Sequence, residues 1–184
     1  DKKDFGRRRL EKNLTPHVAA SIASWCAKEG LTLANAFMSL YALAISKLSN
    51  AKNGIVVGNV RSGRAKDIVG IGEVIGLLIE TEPFYVECRV DETLCSFIKR
   101  IQNALLEQEE LGGFGLTESV GLLMPKLMEQ IDIAFVFENY PTNDISKLGN
   151  VTILGGEGDD DNHFQLSLTV LSEDHDFTLR ADYQ

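Results

Sequence analysis

The chain has 184 residues, with 27 acids against 18 bases, a formal net charge of −9 and 44% hydrophobic residues. That charge argues against a nucleic-acid-binding module, because a phosphate backbone would be repelled unless the few bases clustered. The apolar share argues against disorder, and no apolar run approaches the roughly 20 residues of a membrane-spanning helix or forms a signal peptide.

The opening, Asp1 to Lys12, is polar and basic, with Arg7, Arg8 and Arg9 in a row, and reads as a linker or frayed helix. Residues 1–14 are therefore set apart as a lead-in and 15–184 as one domain; a first residue other than Met suggests a piece of something larger. A helix follows, capped by Thr15, with Pro16 in its first turn and Gly30 closing it; Val18, Ile22, Trp25 and Cys26 share its apolar face. The second helix runs from Thr32 to about Ser49. Its stripe of Leu33, Phe37, Leu40, Tyr41, Ala44, Ile45 and Leu48 is wide enough to pack against a sheet.

Gly54 to Val60 reads as a buried central strand and Arg61 to Glu73 as a glycine-bearing loop. Val74 to Cys88 reads as two extended pieces kinked around Thr81-Glu82-Pro83, since proline disfavours a central ladder. Asp91 and Thr93 introduce a helix whose inner face is Leu94, Phe97, Ile98, Ile101, Leu105 and Leu106, stopped by Leu111-Gly112-Gly113. Thr117 to Met128 suggests a short helix, and Ile131 to Phe137 a strand ended by Glu138-Asn139-Tyr140-Pro141. A long acidic loop spans 142–162, interrupted by Val151 to Leu154, before a hairpin of His163 to Leu171 and Phe177 to Tyr183. The fold class is α/β, a mixed β-sheet flanked by helices.

Local chemistry motifs are few. Cys26, Cys88 and Cys95 have neither even count nor metal-ligand spacing, which fits reduced thiols in a cytoplasmic protein. His17, His163 and His175 are isolated from one another, and no metal site is expected. Asp159-Asp160-Asp161-Asn162 lacks the alternation of a calcium loop. Gly70-Ile71-Gly72 begins like a dinucleotide fingerprint, but its third glycine, Gly76, falls one place late and precedes a strand.

The segment Val56 to Val86, VVGNVRSGRAKDIVGIGEVIGLLIETEPFYV, is more informative. A valine-rich strand carries Gly58, a loop carries Ser62, Gly63 and Arg64, and a core motif follows at Gly76, Leu77, Leu78, Ile79, Glu80, Thr81 and Pro83. Ala134 to Pro141 (AFVFENYP), with Glu138 and Asn139 at its strand end, and the closing hairpin continue the pattern. In that order these segments resemble the condensation domains of nonribosomal peptide synthetases, from about Leu14 onward.

The resemblance implies a chloramphenicol acetyltransferase-like lobe. Condensation domains have two such lobes with a tunnel between them, and carrier proteins deliver phosphopantetheine-tethered thioesters from opposite ends. The catalytic HHxxxDG motif belongs to the N-terminal lobe, and no paired histidines occur here. The chain thus resembles the C-terminal lobe alone, with no catalytic residue and no directly bound cofactor. Gly76, Glu80, Thr81 and Pro83 would form a tunnel or floor loop. Its partners would be the N-terminal lobe, acyl or peptidyl carrier proteins and adjoining synthetase domains.

Two positions depart from the family pattern: Glu80 stands where asparagine is usual, and Tyr85 where arginine is frequent. Related branches (epimerisation, heterocyclisation, ester formation) and a non-catalytic interaction domain remain open alternatives.

Overall fold

The punctuation around the first two helices behaves as their sequences require in the computed structural model, which describes residues 6–51, 54–62, 69–110, 131–139, 147–148, 151–152, 164–173 and 176–184. Helix α1 is Pro16–Glu29; the Thr15 hydroxyl accepts from the Val18 amide at 3.4 Å, and Gly30 closes it at φ 69°. That left-handed conformation is the one glycine adopts without a Cβ penalty. Helix α2 is Leu33–Leu48, capped by Thr32 accepting from Asn35 at 3.1 Å.

The turn between these helices is held by a residue 70 positions away in sequence. Gln102 accepts from the Thr32 amide at 2.9 Å and donates to the Gly30 carbonyl at 2.9 Å. One side chain thus satisfies the end of α1 and the start of α2, where helix termini leave backbone groups unpaired. Gln102 belongs to α3, Leu94–Glu110, so all three helices meet at this point.

The strands are β1 (Arg8–Asn13), β2 (Ile55–Ser62), β3 (Ile79–Val86), β4 (Ile133–Glu138), β5 (Lys147–Leu148), β6 (Val151–Thr152), β7 (Leu166–Glu173) and β8 (Asp176–Tyr183). Six of them form one sheet in the order β1-β8-β7-β4-β2-β3, and β5 and β6 pair with each other. Strands β2, β4 and β7 are mutually parallel; β3, β8 and β1 attach antiparallel, so the sheet is mixed.

The helices pack on one face of the sheet. Phe37 of α2 meets Phe177 with ring centroids 5.1 Å apart and Phe137 at 6.2 Å, while Tyr41 meets Phe135 at 6.1 Å. Aromatic pairs at such spacing add to the large apolar area they bury. Val57, Val170, Phe84, Ile98 and Ile101 complete this core. Burial pushes the Tyr41 phenol above its ordinary pKa, and its hydroxyl donates to the Leu166 carbonyl at 3.4 Å.

Four local expectations differ from what forms. The basic opening is not a linker or frayed helix from Arg8 onward: it is the edge strand β1, paired with β8 from Arg8 opposite Tyr183 to Asn13 opposite Thr178. All six of its residues are exposed, so it carries no hydrophobic signal. Polar cross-strand pairs hold it instead, Arg9 to Asp182 at 2.7 Å, Arg180 to Glu11 at 2.6 Å and Thr178 to Asn13 at 2.9 Å.

Second, no kink interrupts Thr81-Glu82-Pro83, because β3 is a sheet edge and an edge strand tolerates a proline. The supposed floor loop at Glu80, Thr81 and Pro83 is therefore strand. Third, Leu94 and Leu106 of α3 are exposed, and its buried stripe is Phe97, Ile98, Ile101 and Leu105. Fourth, Val18 of α1 is also exposed, with Ala19 and Cys26 as its buried residues, and so are Ala44 and Leu48 at the far end of the α2 stripe. The short helix expected over Thr117–Met128, Gly63, Arg64 and the Asp159–Asn162 run lie outside the described residues.

The segment leading into α3 is tied by charge. Arg100 grips Glu92 through Nε and Nη2, at 2.9 and 2.7 Å, and Nη2 also donates to the Glu87 carbonyl at 2.8 Å. Lys99 meets Glu29 at 2.8 Å, joining α3 to α1. The Arg100 hydrogen bond holds the Glu92 carboxyl below the ordinary glutamate range, and the Lys99 hydrogen bond does the same for Glu29.

Two outcomes follow from this packing. Phe177→Ala should cost about 3–5 kcal/mol in denaturant unfolding, whereas Leu10→Ala, at an exposed edge position, should cost no more than about 0.5 kcal/mol. A carboxyl with a depressed folded pKa stabilises above its unfolded value and loses that contribution as pH falls through the folded one. Stability measured by urea titration should therefore fall below about pH 4.3, the ordinary glutamate value, and Glu92→Gln should make that fall shallower.

Candidate functional site

Parallel pairing gives the sheet a polarity. Strands β2, β4 and β7 run the same way, so their carboxyl ends lie at one end of the sheet, and antiparallel β3 begins there. Crevices outside the carboxyl ends of parallel strands are where open α/β sheets commonly take ligands. Ser62, the last residue of β2, stands opposite Ile79, the first of β3. On the other side of β2, Val60 stands level with Val136, and two residues further along these strands come Ser62 and Glu138. Glu138 pairs with Leu171 of β7, and Asn139 follows, exposed.

The sequence motifs are thus brought to one sheet end from positions more than 70 residues apart. They do not share one face. Val57 and Phe84 are opposite each other and buried under the helices, so Asn59 with Glu82 and Arg61 with Glu80 lie on that side. Gly58 with Pro83, Val60 with Thr81 and Val56 with Tyr85 lie on the side away from the helices. Thr81 and Pro83 therefore face the side away from the helices, while Glu80 belongs to the helix side, and all three are half-buried.

Gly58 is needed for space, not for an unusual backbone. A Cβ there would stand 3.0 Å from the Thr81 methyl carbon, 3.3 Å from Ile131 Cγ2 and 3.4 Å from the Ile133 carbonyl oxygen. Gly76 differs: nothing lies within 4 Å of its would-be Cβ, and the chain around it is open. Val69, Ile75 and Leu77 are almost wholly exposed, with Val74 and Ile79 about half exposed. An apolar run of that kind usually marks a surface that something else covers.

A charged cluster on the helix side was not anticipated from the sequence. Glu82 is only 4% exposed. Arg61 Nη1 lies 3.6 Å from its Oε2, and Gln108 donates to the same oxygen at 3.2 Å. Arg61 Nη2 also meets Glu109 at 2.7 Å. The signal was present in outline, since Glu82 precedes Phe84 and Val86 at strand spacing, but its partner depends on the β2–β3 register.

Other chemistry is sparse among the described residues. They contain no group of three or more His, Cys, Asp or Glu placed to hold a metal ion. Burial pushes the Cys26 thiol upward, away from thiolate reactivity. Cys95 donates to Glu29 at 3.3 Å. An open hollow along α1, lined by His17, Ser21, Ser24, Trp25 and Lys28, contains none of the motif residues. No single helix among the described residues is long and apolar enough to cross a membrane. Among the described residues, the motif positions supply surface, packing and hydrogen-bonding groups.

Comparison with known proteins agrees with this geometry. The family model described as Condensation domain matches residues 1–184. A plipastatin synthase of Bacillus subtilis (strain 168) is 33% identical over 129 residues, covering 70% of this chain and 5% of that protein. The chain thus spans about a twentieth of that relative's length. A four-domain nonribosomal peptide synthetase, solved in its holo form with AMP and glycine, superposes with TM-score 0.79 at 17% identity, covering 97% of this chain and 15% of that one. The epimerization domain from the third module of tyrocidine synthetase B superposes with TM-score 0.68 at 15% identity, covering 100% of this chain and 44% of that one. At such identities these structures show a shared fold, and that fold is common to domains of different named activities.

Gly58→Val should cost about 1–3 kcal/mol, because the β2–β4 spacing and Thr81 would have to yield to the added methyls. Gly76→Ala, in open space, should leave the thermal midpoint within about 2 °C, a shift expected of a neutral surface change.

Proposed function

This chain belongs to the condensation-domain family, and from that premise we propose that it is the C-terminal lobe of a nonribosomal peptide synthetase condensation domain. Its task is to form one wall of the tunnel in which a carrier-bound acyl or peptidyl thioester meets an amine. The observation that carries this reading is the convergence of Ser62, Ile79 and Glu138 at one end of a sheet whose whole chain matches the family model.

Two further features support the lobe assignment. Matched over its whole length, the chain spans only 44% of a solved epimerization domain. The exposed Val69, Val74, Ile75, Leu77 and Ile79 offer apolar surface for a companion lobe to bury.

The reaction asks little covalent chemistry of this half. The amine nitrogen forms a bond to the thioester carbonyl carbon, the C–S bond breaks, and the thiol leaves with the proton that the amine gives up. Holding the two reactants in line replaces a bimolecular encounter with a positioned one. Proton transfer falls to paired histidines on the companion lobe; the three histidines of this chain, His17, His163 and His175, are not adjacent. The phosphopantetheine arm arrives with the carrier protein as part of the substrate. Carrier proteins and adjoining synthetase domains are accordingly its partners, along with the companion lobe.

Incubated with an acyl-pantetheine thioester and a free amine, the isolated chain should give no amide above the buffer rate. Joined to the half-domain bearing the paired histidines, it should give amide, and altering either histidine should abolish the gain. Amide made by the chain alone would sink the lobe assignment.

A further inference from the structure

We propose that Arg61 is a positioning residue, which pins the end of β2, the edge strand β3 and the last turn of α3 to one another and so sets the position of Ser62 at the end of β2. Its catalytic consequence rests on the reading above; its structural consequence does not.

Arg61 is the penultimate residue of β2 and stands opposite Glu80 in the register. Its guanidinium reaches two carboxylates on two different elements, Glu82 on β3 at 3.6 Å and Glu109 on α3 at 2.7 Å. Gln108, beside Glu109, donates to Glu82 and closes the triangle. A planar fork with donors on both arms can hold two acceptors at once; an ammonium on a flexible stem holds a single point.

The need for such a clamp is visible in α3. Its last turn carries Glu107, Glu109 and Glu110 and no basic residue, the wrong sign for the negative end of a helix dipole. Arg61 supplies the missing positive charge from the sheet. It also compensates Glu82, whose side chain is 5% exposed and whose charge would be costly to bury without a cation.

The clamp lies behind the candidate site. Arg61 points to the helix side while Ser62, its neighbour, points to the other, so tension on one is carried through a single peptide unit. Releasing the fork frees the α3 end from the β2–β3 edge, and the rim at Ser62 and Ile79 loses its fixed backing. A misplacement of about 1 Å in a positioned reaction can cost roughly a hundredfold in rate.

Two measurements decide this. In the isolated chain, hydrogen exchange of the Ser62, Ile79 and Glu80 amides should be at least about tenfold faster in Arg61→Met, a change of about 1.4 kcal/mol in local opening. Arg61→Lys should fall between, and Glu109→Gln, at a half-exposed site, should speed exchange without lowering the thermal midpoint. In a complete condensation domain containing this chain, kcat should fall roughly 10- to 100-fold in Arg61→Met with KM changed less than about threefold, and Arg61→Lys should restore part of it. Unchanged exchange in both Arg61→Lys and Glu109→Gln overturns the clamp, even if Arg61→Met fails to fold. Faster exchange with unchanged kcat overturns its catalytic role alone. A wild-type domain that makes no amide would count against the functional reading and leave the exchange result to decide the clamp.

Discussion

Helix α2 meets the sheet through Phe37 and Tyr41, which sit on Phe177, Phe137 and Phe135 from three different positions across β8 and β4. This aromatic seam decides which face of the central strands turns toward the helices. Because strand side chains alternate, fixing Phe135 and Phe137 inward fixes Val136 and Glu138 outward, and the paired strands inherit the same assignment. The candidate site depends on that choice. A slip of one residue in β2 would send Ser62 to the helix side and Arg61 away from its carboxylates.

A parallel ladder cannot be closed by a tight turn, so β2, β4 and β7 must be joined by long connections that return to the same end. The connections make room for function at the carboxyl end while the core remains at the middle of the sheet. The antiparallel additions serve other purposes. Strand β3 brings the core motif to the end of β2, and β1 covers the otherwise free side of β8 through ion pairs on the face away from the helices. The chain's acidic excess is thus offset locally where strands and helices meet: Arg9, Arg61, Lys99, Arg100 and Arg180 each face a carboxylate.

Residues whose neighbours are close in sequence are legible from the sequence alone. Thr15, Thr32 and Gly30 announce helix ends because capping is local, and the Phe37–Tyr41 stripe announces burial because helical spacing is local. The order GNVRSGR, IGLLIETEP, FVFENYP and the final hairpin announces the family. Strand β1 is not legible, since an exposed edge strand held by Arg9, Glu11 and Asn13 has no apolar alternation. Pro83 misleads because proline forbids a central strand but not an edge, and edge or centre is a property of the whole sheet. Glu80 looks like a tunnel residue beside Thr81, yet alternation puts them on opposite faces. The Arg61–Glu82–Glu109 cluster joins residues up to 48 apart in number, and only the β2–β3 register and the placement of α3 make it visible.

If this condensation-family chain is one wall of a shared cleft, its exposed apolar run is the surface that a companion lobe buries. Hydrogen exchange across Ile75 to Leu78 tests that claim most directly, comparing the isolated chain with a complete domain that contains it. These residues lie outside any helix or strand and are mostly exposed. Their amides should exchange at near-unfolded rates in the isolated chain and at least about tenfold more slowly in the complete domain. Equal exchange in the two would mean that nothing covers this surface, and would contradict its role as one wall of a shared cleft.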